Sequence, residues 1–195
     1  GLTAHSALFS QFLRRSVRVF PTKRRKNVEM ADALFDLTEV DRLLSTTRAV
    51  RKRLDLDRPV ETEVIHECLR LAVQAPTGSN QQTWRWMVVT DADKRAAIAE
   101  AYNMAGKAYL SMAAASEDND PQTRRVYESA LALTETMARV PVHVIPCIEG
   151  PISLDSNGVA ASQYGSIMPA AWSFLLALRS RGPGPVWTTL HLFQE

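Results

Sequence analysis

Apolar residues recur at helical spacing in several segments that polar or proline-containing stretches separate. The clearest is 61–75, where apolar side chains lie three or four positions apart until Pro76 ends the segment. The same spacing predicts helices over 36–46, 92–115, 122–139 and 161–181. In the last of these we expect a core-facing set formed by Tyr164, Ile167, Met168, Ala171, Trp172, Leu175 and Leu178.

Short apolar segments between the helices predict strands over 84–90 and 141–148. After the turn 182–185, the residues from Val186 onward predict a third strand that runs into a further helix. The chain stops in that helix without a cap, so we expect a product truncated at its C-terminus. Strands separated by helices favour an α+β or α/β layered fold.

Composition narrows the class of protein. The chain has 195 residues, of which 46% are hydrophobic and 23% charged, as is typical of one folded domain. No apolar run approaches the ~20 residues that a membrane-spanning helix needs, so no membrane partner is expected. Cys68 and Cys147 form neither a disulfide framework nor a zinc-binding pattern, and free thiols favour a cytoplasmic location.

The net charge of +2 is unevenly distributed. Residues 1–30 contain seven Lys or Arg and one acid, Glu29, so they carry +6 and residues 31–195 carry −4. We interpret 1–29 as a basic tail; an organellar transit peptide and a nucleic-acid-binding arm stay open. Met30 is the first methionine, and we expect the folded domain to extend over 30–195. Its acidic balance gives no electrostatic reason to expect nucleic acid as a partner.

Two segments contain polar residues suited to an anion and a flat heterocycle. Arg48 and Arg51 follow a predicted helix, and guanidinium groups bind phosphate bidentately; a basic helix end that complements the helix dipole is the simpler alternative. In the loop 77–83, Gly78 allows close approach, while Asn80 and Gln82 each offer a donor and an acceptor to a ring edge. A hydrophilic turn is the alternative there.

Together these segments resemble the FMN-dependent nitroreductase family. Arg48-Ala49-Val50-Arg51 is similar to its R-[SA]-[VI]-R pattern, and 75–84 to its A-P-S-x-x-N-x-Q-P-W pattern. Residues 164–172 resemble a third flavin-contacting stretch, and 182–191 resemble the G-L-G-x-x-W-T-T-L-H strand. The four motifs occur in the family's order. Three positions depart from the pattern, namely Thr77 for Ser, Thr83 for Pro and Pro183 for Leu.

The resemblance implies an α+β, three-layer α/β/α sandwich that forms an intertwined homodimer, here without the C-terminal strand and its basic pair. It implies FMN at the dimer interface, NAD(P)H as electron donor and a small electron-poor acceptor, such as a nitroaromatic or a quinone, in a ping-pong reaction. No catalytic acid or base is expected. The partner subunit is expected to contribute 166–169. The implied cofactor-binding residues are Arg48, Ala49, Arg51, Thr77, Gly78, Asn80, Gln82, Ser166, Ile167, Met168, Pro169 and Gly184.

Two other hypotheses stay open at this point. The chain could be a truncated, non-catalytic relative with weak or no flavin binding, which a colourless preparation would indicate. It could also be a binding protein that acts through its basic N-terminal arm. Steeply salt-dependent DNA binding that is lost on deletion of 1–29 would support the second hypothesis.

Overall fold

The computed structural model describes residues 34–152 and 156–194. The predicted tail and the domain boundary at residue 30 therefore lie outside the described residues, and residues from Thr38 onward form one compact unit. The helices and strands, in chain order, are α1 (Leu37–Thr46), α2 (Thr62–Ala72), β1 (Trp84–Val89), α3 (Ala92–Ala115), α4 (Pro121–Thr136), β2 (His143–Ile148) and α5 (Asn157–Arg181). Short 3-10 turns lie at Gly78–Asn80, Met137–Arg139 and Leu190–Gln194.

The sheet in the described part of the chain has two antiparallel strands. Trp84 lies opposite Ile148 and Val89 opposite His143. The pairing continues one position beyond the strands, where the Glu149 N–H donates to the Thr83 carbonyl at 2.9 Å. Both predicted strands are confirmed, and the combination of helices with a small sheet confirms the α+β class.

α2 and α5 pack together on one face of the sheet. Their buried contact set includes Ile65, Cys68, Phe174 and Leu178. Trp86 of β1 reaches this cluster, with its ring 5.5 Å from that of Phe174. Because Cys68 is fully buried, desolvation raises the pKa of its thiol. The cysteine predicted to be a free thiol is therefore a neutral packing residue.

A second buried cluster lies between α3, α4 and the 137–139 turn. Tyr102, Leu133 and Met137 form its centre, and the exposed fraction of Leu133 is 1%. Asp91 begins α3 by accepting a hydrogen bond from the Lys94 N–H at 3.0 Å. At the other end of the cluster, Leu190 packs on Gly106 of α3, which holds the 190–194 turn against that helix.

The third predicted strand is wrong, because residues 186–189 have no strand conformation. Pro183 and Pro185, directly before these residues, have no backbone N–H and cannot donate the hydrogen bonds that would join them to a neighbouring strand. The carbonyl of Pro185, directly before this segment, instead accepts a hydrogen bond from the Val50 N–H at 3.0 Å. The segment therefore links the end of α5 to the chain just after α1.

The predicted core face of α5 is wrong in part. Tyr164, Met168 and Trp172 are 45%, 48% and 44% exposed, whereas Phe174 and Leu178 are buried. Apolar residues surround almost the whole of this helix, so spacing alone could not select the buried side. The three exposed residues lie four positions apart and form one line along the helix, which we name the α5 stripe. Among the described helices, none is both long and apolar enough to span a membrane.

His143 makes the stability of the fold depend on pH. Its ring is buried, and desolvation, with smaller contributions from Arg95 and His191, lowers the pKa of His143 below 6.5. Below pH 6.5 the unfolded chain therefore binds a proton at His143 more readily than the folded chain does. This contribution to the free energy of unfolding is fully present above pH 6.5 and is lost as the pH drops below it. We expect the urea concentration at the midpoint of unfolding to decrease when the pH is lowered from 7.5 to 5.5. The decrease should be smaller in His143→Gln. An equal fall in both proteins would contradict this assignment.

Candidate functional site

The loop 77–83, between α2 and β1, has an unusual backbone. Ser79, Asn80 and Gln82 have positive φ angles of 53°, 55° and 52°. Left-handed conformations at residues other than glycine cost roughly 1–3 kcal/mol each and persist only where the surroundings hold them. Such strain is concentrated at ligand-binding and catalytic sites. We name residues 77–83 the amide loop.

The amide loop is held by the N-terminal half of α5. The Gly78 N–H donates to Ser166 Oγ at 2.9 Å, and that hydroxyl donates to the Ser162 carbonyl at 2.8 Å. Trp84 Nε1 donates to the Ser166 carbonyl at 2.8 Å. A Cβ at position 78 would lie 2.5 Å from Ser162 Oγ, so the close approach of loop and helix favours glycine there.

Two side chains of the amide loop form a donor–acceptor edge. Gln82 Nε2 donates to Asn80 Oδ1 at 2.8 Å, and the Gln82 N–H donates to Thr77 Oγ1 at 3.2 Å. Within the described part of the chain, Asn80 Nδ2 and Gln82 Oε1 have no hydrogen-bond partner, and both residues are exposed. The loop thus offers one free amide donor beside one free amide acceptor.

The arginine segment 48–51 lies at the other end of α5. The Val50 side chain packs against Gly184, where an added Cβ would be 3.0 Å from it. Arg51 is tied to α4, because its Nη1 donates to Ser129 Oγ at 3.2 Å. Arg48 is exposed and donates to the Thr47 carbonyl at 2.7 Å. Ala49 is exposed between them.

A cavity of about 590 Å³ opens beside this segment, and we name it the arginine cavity. Arg48 and Gly184 line it. Arg53, Arg58 and Arg179 also line it, and none of these three forms an ion pair with another described residue. Apolar side chains such as Val64 and Ile65 also line it, and its arginines outnumber its two carboxylates, Asp55 and Glu61, which makes the cavity suited to an anion attached to an apolar body.

The two groups of predicted site residues are far apart within one chain. Ser166, which holds the amide loop, is separated from Arg181, next to the arginine cavity, by about 22 Å of helix axis. The structure brings Thr77, Gly78, Asn80 and Gln82 together around Ser166, and brings Arg48 and Ala49 to Gly184. On α5, Ile167 and Pro169 are half-buried and Met168 is exposed.

Sequence reasoning missed several residues at both groups. Ser162 and Trp84 support the amide loop. Trp84 ends the motif at 75–84 but was given no role, and the only signal for Ser162 was its position four residues before Ser166. Arg58 and Arg179 of the arginine cavity gave no signal beyond their charge. No group of three or more His, Cys, Asp or Glu suited to a metal ion occurs in the described ranges.

Residues 44–195 match the family of proteins described as Nitroreductase, a segment that contains both residue groups. The chain belongs to the nitroreductase family. This confirms the family that the sequence motifs indicated. No curated protein sequence matches the chain.

Solved structures share the nitroreductase-like fold. A BluB-like flavoprotein from Clostridium difficile 630 is 20% identical over 82% of this chain and 76% of its own, with a TM-score of 0.56. Iodotyrosine deiodinase bound to FMN and 3-iodo-L-tyrosine is 20% identical over 76% and 73%, also with a TM-score of 0.56. The FMN-dependent nitroreductase NfnB from Mycobacterium smegmatis, in complex with NADPH, is 21% identical over 75% and 73%, with a TM-score of 0.50.

Proposed function

We propose that this nitroreductase-family protein is an FMN-dependent oxidoreductase that takes electrons from NAD(P)H and delivers them to a small electron-poor acceptor, such as a nitroaromatic or a quinone. The observation that carries the proposal is the strained amide loop, whose exposed Asn80 and Gln82 offer one amide donor and one amide acceptor that no other described residue engages. Family membership supports it, as do two proteins of the same fold, one bound to FMN and the other described as FMN-dependent and in complex with NADPH.

The free groups of the amide loop fit the polar edge of a flavin ring. Asn80 Nδ2 would donate to a ring carbonyl, and Gln82 Oε1 would accept the ring N3–H. The hydrogen bond between Gln82 and Asn80 fixes both amides in this orientation. The two side-chain amides are therefore already oriented before a ligand binds, so less side-chain freedom is lost on binding.

The arginine cavity fits the phosphate end of the same cofactor. Arg48 would neutralise the phosphate, and Arg53, Arg58 and Arg179, which form no ion pair within the described ranges, add to the positive potential around it. The close packing of Gly184 against Val50 keeps the wall of the cavity next to Arg48.

We further propose that the complete site forms between two copies of the chain. The amide loop contacts α5 at Ser166 and the arginine cavity contacts it at Arg181, about 22 Å further along the helix axis, so we expect a mononucleotide held by the amide loop to meet the Arg48 of a second copy rather than of its own chain. In a homodimer, the amide loop of one copy would complete the arginine cavity of the other. The exposed α5 stripe supplies an apolar surface for this pairing. In this arrangement Ser166 acts with the amide loop of its own chain, to which it is hydrogen-bonded, and both face the arginine cavity of the other copy.

FMN, when bound, supplies the hydride and electron chemistry. The chain's own residues orient and retain it. Asn80 and Gln82 fix the ring edge, the arginines balance the phosphate charge, and Trp84 with Ser166 keeps the amide loop in its strained shape. No side chain of the site is required to carry a proton in this scheme.

Asn80→Ala tests the assignment of the amide loop. The substitution removes the free donor and the acceptor that holds Gln82, so we expect the dissociation constant for FMN to rise about tenfold. Flavin fluorescence titration measures this, and Asn157→Ala, at the exposed start of α5, is the matched control. If Asn80→Ala binds FMN as tightly as the control and keeps its reduction potential, the amide loop does not hold the flavin.

A further inference from the structure

The segment 184–194 follows α5 and packs against α3, but few backbone hydrogen bonds hold it. The Pro185 carbonyl accepts from the Val50 N–H at 3.0 Å, and in the described part of the chain this is the one backbone hydrogen bond that joins the segment to another element. Residues 186–189 belong to neither a helix nor a strand. Leu190 packs on α3 and provides an apolar contact. Elements with few backbone hydrogen bonds open at lower cost than helices and paired strands, so we expect this segment to open before its neighbours.

Two histidines line a cavity of about 190 Å³ between this segment, β2 and α5, which we name the histidine cavity. His143 is the first residue of β2 and is 9% exposed, while His191 lies in the turn 190–194. A positive charge on His191 disfavours a positive charge on His143, so the two imidazoles interact. Within the described ranges no Asp or Glu lines this cavity. A proton taken up there therefore meets no carboxylate that would compensate its charge.

The groups around His143 favour its neutral form. Its Nε2 lies 2.9 Å from the Met137 carbonyl, which can only accept a hydrogen bond, so Nε2 carries the proton of the neutral ring. Desolvation lowers the pKa of His143, and the charges of Arg95 on α3 and of His191 lower it further. Arg95 donates to the Val140 carbonyl at 2.7 Å, which keeps its guanidinium in place. Of the two groups that repel a charged His143, only His191 lies on an element that opens easily.

We propose that His143 and His191 form an acid-sensitive switch, which releases the segment 184–194 while the rest of the fold stays closed. Movement of the segment separates the two imidazoles and lets water reach a charged His143. The closed state favours the neutral ring and the open state the charged ring, so the equilibrium constant for opening rises by up to about tenfold per pH unit below 6.5. Gly184 also lines the arginine cavity, so release of the segment removes part of that cavity's wall. The switch does not depend on FMN binding.

Amide hydrogen exchange of the full chain, followed by NMR and corrected for the intrinsic effect of pH, tests the switch. The Val50 N–H is the probe, because its hydrogen-bond partner is the Pro185 carbonyl of the segment. The control is the Glu149 N–H, which donates to the Thr83 carbonyl at 2.9 Å beyond the opposite end of β2. Between pH 6.5 and 5.5 the protection of Val50 should fall about fivefold, and that of Glu149 less than twofold.

Two variants assign the effect to the histidines. His143→Gln, whose amide can still donate to the Met137 carbonyl, should abolish the fall at Val50, and His191→Gln should reduce it. Three results would overturn the proposal: protection of Val50 that does not change with pH in the unmodified protein, an equal fall at Val50 and Glu149, or a fall at Val50 that persists in full in folded His143→Gln or His191→Gln. The second result would mean that acid opens the fold as a whole.

Discussion

Trp172→Glu is expected to convert a dimeric protein into a monomer that no longer holds FMN. Trp172 lies at one end of the α5 stripe and is 44% exposed. Tryptophan is enriched among the residues that contribute about 2 kcal/mol or more to an interface, so its replacement by a charge should weaken dimerisation by about 30-fold or more. Because our account places half of the site on each copy, the flavin should be lost with the dimer. Sedimentation velocity and flavin absorbance measure the two effects on one sample.

Trp172→Phe is the matched control, since it keeps an aromatic side chain on the stripe. We expect it to stay dimeric and yellow. A Trp172→Glu monomer that retains stoichiometric FMN would show that one chain holds the whole site. A Trp172→Glu protein that remains a dimer would show that the α5 stripe is not the interface.

Leu133→Ala is expected to lower the free energy of unfolding by about 2–5 kcal/mol. The side chain is 1% exposed at the centre of the cluster between α3, α4 and the 137–139 turn, where Tyr102 and Met137 limit collapse around a cavity. Urea denaturation measures the change. The protein concentration must be fixed, because dimerisation would otherwise shift the apparent stability.

Leu71→Ala is the control for that substitution. Leu71 lies on α2 and is 47% exposed, so its loss should change the free energy of unfolding by about 0.5 kcal/mol or less. An equal effect of the two substitutions would mean that the cluster around Leu133 does not form the core that the structure describes.

Local patterns were sufficient to predict most elements of the fold. Pro76 and the apolar spacing before it predict α2, and the short apolar runs predict both strands. The orientation of α5 could not be predicted, because which side of an apolar helix is buried depends on what packs against it. The strand predicted from Val186 onward failed for a similar reason, since no strand in the part of the chain that the structure describes pairs with it.

The candidate site was predictable as a set of residues but not as an arrangement. Motifs identify Asn80 and Gln82, yet nothing in the sequence indicates that both residues have left-handed backbones. The hydrogen bond from Arg51 to Ser129 joins residues far apart in the chain. The separation of Arg48 from the amide loop likewise depends on how α5 runs between them.

A heterodimer of Arg48→Ala and Asn80→Ala chains tests the composite site most directly. The two chains are co-expressed with different affinity tags, purified on both in turn, and titrated with FMN. If each site combines the arginine segment of one copy with the amide loop of the other, one of the two sites of the heterodimer contains neither substitution and binds FMN with unmodified affinity, while the other carries both. If a single chain forms the whole site, every site carries one substitution, and a heterodimer without any site of unmodified affinity would contradict our account.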